Sequence, residues 1–83
     1  MKIIYFAKIR EIIGKKTEKV NIPDNISTIE QLLFYLTTLG EEYKHALNDI
    51  NKIHVACDQE YVGNDFNFKD CQEIAIFPPV TGG

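Results

Sequence analysis

The residues able to do chemistry in this 83-residue chain are few, and the spacing that stands out is its C-terminal end, Phe77-Pro78-Pro79-Val80-Thr81-Gly82-Gly83. Proline fixes φ and carries no N–H, so Pro78 and Pro79 end sheet pairing and stiffen the exit into an extended, polyproline-like segment. Gly82 and Gly83 bring the terminal carboxylate in on the thinnest backbone available, one that fits a narrow channel. From Phe77 onward an extended chain reaches roughly 20 Å at ~3.3 Å per residue, enough to enter an active site recessed in another protein. The last ten residues, 74–83, carry no charged side chain. Fraying alone would account for a terminal Gly-Gly pair. The same pair behind a Pro-Pro exit and an uncharged strand points to a functional tail.

Elsewhere the chemistry is sparse. Cys57 and Cys71 have neither a C-x-x-C spacing nor a His/Cys cluster around them, so no zinc site or thioredoxin-like motif is expected, and both read as buried free thiols without a role in catalysis. His45 falls in an expected helix and His54 in an expected strand, with no nucleophile nearby for either to activate.

The elements that must present the tail follow from periodicity. Ile3-Ile4-Tyr5-Phe6-Ala7 is apolar at successive positions, the pattern of a central strand buried on both faces. Ile9, Ile12 and Ile13 keep helical spacing over about one turn, closed by Gly14 in a left-handed conformation. Val20 and Ile22 alternate with Lys19 and Asn21, a half-buried strand beside the first and antiparallel to it, broken at Pro23-Asp24-Asn25. Ser27-Thr28-Ile29-Glu30 has the form of a capping box and opens the main helix. Ile29, Leu32, Leu33, Leu36 and Leu39 line its core face, and Gly40 stops it. Tyr43, Ala46, Leu47 and Ile50 share one face of a further short helix. Ile53, Val55 and Cys57 mark a third strand, Tyr61-Val62 a brief fourth, residues 66–72 a loop, and Ile74-Ala75-Ile76-Phe77 a last strand that pairs centrally with the first. One main helix across one face of a mixed sheet of about four to five strands is an α+β roll of the β-grasp type. Residues 1–77 form the folded domain and residues 78–83 the extended tail.

Size and charge restrict the function further. A chain this short buries only roughly 60–65% of its unfolded surface, so a deep pocket enclosed by it alone would consume the core, which argues against a self-sufficient enzyme. No stretch approaches the roughly 20 apolar residues of a membrane span, and Lys8 and Arg10 interrupt the N-terminal apolar run too early for a signal peptide, so the expected location is the cytoplasm. Residues 1–20 carry six basic and two acidic side chains, and residues 21–83 three basic and ten acidic, giving the net charge of −3. That acidic bulk disfavours nucleic acid.

The ending P-P-V-T-G-G, together with the opening Phe6-Ala7-Lys8-Ile9-Arg10-Glu11 in an F-A-x-x-R-E pattern, resembles the small sulfur-carrier subunit of molybdopterin synthase, the MoaD family of ubiquitin-like proteins. The resemblance spans the whole chain in length and element order. One departure is Cys71-Gln72-Glu73, where the family commonly has G-D-E. The resemblance implies that an adenylating enzyme of the ubiquitin-activating type uses ATP to convert the Gly83 carboxylate to an acyl-adenylate. Sulfur then replaces AMP, and the resulting thiocarboxylate donates sulfur to cyclic pyranopterin monophosphate within the large synthase subunit, in a heterotetramer of two small and two large chains. It also implies that the chain binds no cofactor of its own. Gly83 would be the reacting residue, with Gly82, Thr81, Val80, Pro79, Pro78 and Phe77 as docking surface and Phe6 and Arg10 near the root of the tail. Two other readings share the sequence features: a related carrier for thiamin sulfur transfer or protein conjugation, and an interaction domain with no terminal chemistry.

Overall fold

The structure, a computed structural model, describes residues 1–79. Its order is β1 (Lys2–Tyr5), α1 (Ala7–Ile13), β2 (Thr17–Lys19), α2 (Ile29–Thr37), α3 (Glu41–Ala46), a 3₁₀ turn (Ile50–Lys52), β3 (His54–Cys57), β4 (Glu60–Val62) and β5 (Glu73–Phe77). The five strands form one mixed sheet in the order β2-β1-β5-β3-β4. The two apolar runs meet at its centre as expected: β1 and β5 pair in parallel, with Ile3 opposite Ile74 and Tyr5 opposite Ile76. The remaining pairs are antiparallel. This is the β-grasp fold.

Alternation along the strands sends Ile3, Tyr5, Val55, Ile74 and Ile76 to one face, where they are buried with Ile9, Ile13, Ile29, Leu32, Leu33, Leu36 and Leu47 of the helical side. Burying each such side chain contributes roughly 1.5–3 kcal/mol. The other face has no helical layer among the described residues, which corrects the expectation that β1 is covered on both sides. Ile4 and Ala75 are only half-buried there, and Phe6 is exposed. A run of apolar residues does not by itself distinguish two covered faces from one covered face and one awaiting a partner.

Local signals were read correctly at some ends and not at others. Gly14 closes α1 at φ 82°, the left-handed cap its position predicts. The main helix is capped one residue later than Ser27: Thr28 Oγ1 accepts from the Gln31 N–H, and Gln31 Oε1 accepts from the N–H groups of Thr28 and Ser27. The register is decided outside the helix, because the Ile29 and Glu30 N–H groups donate to Phe66 O and Asn64 O across the fold. The helix ends at Thr37, not at Gly40; Gly40 is extended and serves as N-cap of α3, with the Lys44 N–H donating to its carbonyl.

The cysteines also depart from expectation. Cys57 and Cys71 are joined in a disulfide, with Cα atoms 5.8 Å apart. Sequence spacing hid the pairing, because the β3–β5 register, which sets Cys57 opposite Ile74, is what brings the segment before β5 alongside the end of β3. Asp58 and Gln59 turn β3 into β4 with φ of 47° and 75°, the two left-handed positions of a tight hairpin.

Candidate functional site

The site is built where β1 and β5 end side by side. The Phe6 N–H donates to Ile76 O, continuing the parallel ladder by one residue, and Ala7 then takes a left-handed φ of 51°. A non-glycine residue there costs on the order of 1–2 kcal/mol, sustained only because the flanking structure fixes it. The turn reverses the chain into α1, whose Arg10 N–H donates to Phe6 O, and leaves the Phe6 side chain behind on the open face.

There the Phe6 ring stacks on Phe77, with centroids 4.5 Å apart and planes 13° from parallel. Tyr61 of β4 lies 5.8 Å from Phe77, tilted by 54°, and meets His54 edge-on at 6.4 Å. His54 is itself the register partner of Phe77. Phe6, Phe77, Tyr61 and His54 thus form a continuous aromatic ledge, and with Ala7, Pro78 and Pro79 they line an open depression of about 670 Å³. A second depression of about 410 Å³ runs from the ledge down the open face, floored by Ala56 and Ala75 and edged by Ile4 and Glu73. Tyr61 is 74% exposed and Phe6 38%, far above what a chain without a partner needs to show of such large rings. Each aromatic pair contributes roughly 0.5–1.5 kcal/mol to holding the ledge in shape.

Among its described lining the depression offers rings, prolines and one imidazole, without a paired nucleophile and base, so it is suited to recognition rather than to catalysis. The structure brings together four of the residues singled out from sequence, Phe6, Phe77, Pro78 and Pro79. Arg10 is exposed on α1 and is not among the described lining residues. Val80, Thr81, Gly82 and Gly83 lie outside the described residues. Three participants were missed. Ala7 carries no sequence mark of its left-handed backbone, and His54 and Tyr61 reach the ledge only through the β3–β4 and β3–β5 registers.

A separate polar cluster lies on the helical side. The Glu18 carboxylate accepts from Tyr5 Oη at 2.6 Å, Tyr43 Oη at 2.7 Å and Lys15 Nζ at 3.3 Å. Burial, then the hydrogen bond to Glu18, pushes the Tyr5 hydroxyl well above the usual phenol range. Burial also pushes Glu18 up, but the hydrogen bonds from Tyr5, Tyr43 and Lys15 outweigh it and hold the carboxyl below its ordinary value. The cluster ties β1 and β2 to α3 and has no contact with the ledge. The grouping of potential metal donors among the described residues, Cys57, Asp58 and Cys71, has its two sulfurs joined to each other. In that form neither is a thiolate ligand.

A β-grasp sheet that leaves an apolar face open, with an aromatic ledge at the root of a Gly-Gly tail, defines a ubiquitin-like protein that works through its C-terminus and a docked partner. Residues 3–83 match the model of the ThiS family, and the chain belongs to that family. Its relatives include molybdopterin synthase sulfur carrier subunits. That of Escherichia coli is 34% identical over 83 residues, covering 100% of this chain and 99% of its own. That of Dictyostelium discoideum is 36% identical over 84 residues, covering 99% and 94%. Among solved structures, SAMP1 from Haloferax volcanii superposes with a TM-score of 0.73 at 26% identity, covering 100% of this chain and 98% of its own.

Proposed function

We propose that this chain is the sulfur carrier subunit of a molybdopterin synthase. The observation that carries the reading is its full-length similarity to proteins of that name, 34% identical across all 83 residues, in a chain ending Pro-Pro-Val-Thr-Gly-Gly. A carboxylate is a poor electrophile, and activation makes the chemistry possible. The Gly83 carboxylate attacks the α-phosphate of ATP on an adenylating enzyme of the ubiquitin-activating type, expelling pyrophosphate and forming an acyl-adenylate. A sulfur donor then displaces AMP, leaving a C-terminal thiocarboxylate. Inserted into the large subunit, the thiocarboxylate sulfur attacks cyclic pyranopterin monophosphate; hydrolysis of the acyl–sulfur bond returns the carboxylate and leaves sulfur on the pterin.

In this reading Phe6, Phe77, Tyr61, Pro78 and Pro79 dock the large subunit. Val80, Thr81 and Gly82 thread into it as extended backbone, and Arg10 supplies a rim charge. The assembly is a cytoplasmic heterotetramer of two small and two large chains, and ATP is bound by the activating partner.

The structural likeness to SAMP1 favours a second reading, a modifier whose Gly83 ends in an amide to a lysine of another protein. A carrier for thiamin sulfur transfer would use the same activation. Incubation with the cognate adenylating enzyme, ATP and a sulfur source tests the shared step. The chain is expected to gain about 16 Da, sulfur replacing oxygen, and the Gly83 deletion to gain nothing. An equal gain in the truncated chain would refute terminal activation.

A further inference from the structure

Away from the ledge, one pair of reactive side chains has no part in the tail's chemistry: Cys57 at the end of β3 and Cys71 just ahead of β5. Their Cα separation of 5.8 Å lies where a disulfide needs no backbone movement. The placement does not depend on the bond. Cys57 sits opposite Ile74 in the β3–β5 ladder, and the Asp58 N–H donates to Glu73 O at 3.1 Å. The Asp58 carboxylate in turn accepts from the N–H groups of Gln72 and Glu73, each at 3.0 Å. On the other side the Cys71 N–H donates to the carbonyl of Phe68, whose ring is buried in the core. These contacts hold both cysteines whether or not their sulfurs are joined. The folded chain therefore presents two juxtaposed thiols, whereas the unfolded chain must close a loop between residues 14 apart.

We propose that Cys57 and Cys71 are a reversible dithiol–disulfide pair that staples the β3–β4 turn to the start of β5, so that thiol oxidation sets the stability of the folded body. The oxidant is a small-molecule disulfide such as glutathione disulfide. Cys57, the more exposed of the two, attacks as thiolate, forms a mixed disulfide and releases one glutathione. Cys71 gives up its proton and attacks the Cys57 sulfur, expelling the second glutathione. Two protein thiols are oxidised and one glutathione disulfide is reduced to two glutathiones. The staple is remote from the aromatic ledge: Cys57 pairs with Ile74 and His54 with Phe77, three residues apart along the strand, or roughly 10 Å at ~3.3 Å per residue.

Linkage makes this quantitative. Closing a loop of this size removes unfolded-state entropy worth on the order of 100-fold in the folding equilibrium, and by reciprocity folding favours oxidation by the same factor. The test uses the full chain equilibrated at fixed ratios of glutathione to glutathione disulfide, once in buffer and once in urea sufficient to unfold it. Quenching with an alkylating reagent and measuring intact mass counts the species that takes up no label, about 2 Da lighter than the dithiol. Cys71→Ser should give none of that species. The expected result is an oxidation constant on the order of 100-fold larger in buffer than in urea, and a higher denaturant midpoint for the oxidised chain than for the reduced one. Equal constants in the two conditions, or reaction that stops at a glutathione adduct in the folded chain, would overturn the proposal.

Discussion

Phe6 and Phe77 lie face to face, 4.5 Å between centroids, although 71 positions separate them in the sequence. The stack joins the last residue before the α1 turn to the last residue of β5, the point from which Pro78 and Pro79 leave the sheet. Whatever docks against this pair is placed at the root of the tail. Both rings belong to the open face rather than to the helical core, so their loss is expected to act on binding first.

Phe77→Ala should weaken binding of the large synthase subunit about thirtyfold, the effect of removing a central aromatic anchor worth about 2 kcal/mol. Its effect on folding should be smaller, about 1 kcal/mol from the lost stacking on Phe6 and Tyr61. Titration against the large subunit and thermal melting of the same variant separate the two. A melting loss of several kcal/mol with unchanged affinity would place the ring in the core and remove it from the docking surface.

Deleting Val80 to Gly83 should leave the melting temperature nearly unchanged, because the buried core residues run from Ile3 to Ile76 and every named strand ends by Phe77. Binding to the large subunit should fall sharply, since the extended backbone contacts go with the deleted residues. A truncated chain that binds as tightly as the intact one would refute insertion of the tail.

The Glu18 cluster predicts how stability responds to pH. Glu18 is held below its ordinary value in the folded chain, so its contribution is present above the unfolded carboxyl pKa and is lost as pH falls through the folded one. Tyr5 is raised, so its contribution is complete below the unfolded phenol pKa and is lost as pH climbs past it. Stability should therefore decline below about pH 4 and above about pH 10. Glu18→Gln should flatten both flanks. Denaturant titrations across that range check it, and an unchanged profile in the variant would assign the pH dependence to other groups.

Much of this architecture is legible in the sequence, and what is not has a common cause. The apolar runs around Ile4 and Ala75 mark the central strands, and Gly14 marks a helix end, because strand composition and left-handed backbone are local properties. The cap at Thr28 and Gln31 is not local, being fixed by carbonyls of Asn64 and Phe66. Nor is the Cys57–Cys71 bond, or the meeting of His54 and Tyr61 with Phe77, all of which depend on strand register. The open face of the sheet escaped for a related reason: Ile4, Ala56 and Ala75 read as core whether a helix or another protein covers them. At the site, Phe6 and the Pro-Pro exit could be found from sequence, but the ledge that joins them required the fold.

The central claim, that this chain carries sulfur to a pterin, is tested most directly by following its mass through one turnover. The thiocarboxylated chain would be mixed with the large subunit and cyclic pyranopterin monophosphate, and the carrier weighed as product forms. The expected result is a return to the carboxylate mass, a loss of about 16 Da, with two carrier chains discharged for each dithiolene. A carrier that stays thiocarboxylated while the large subunit and pterin are both present, or that discharges without sulfur appearing on the pterin, would contradict it.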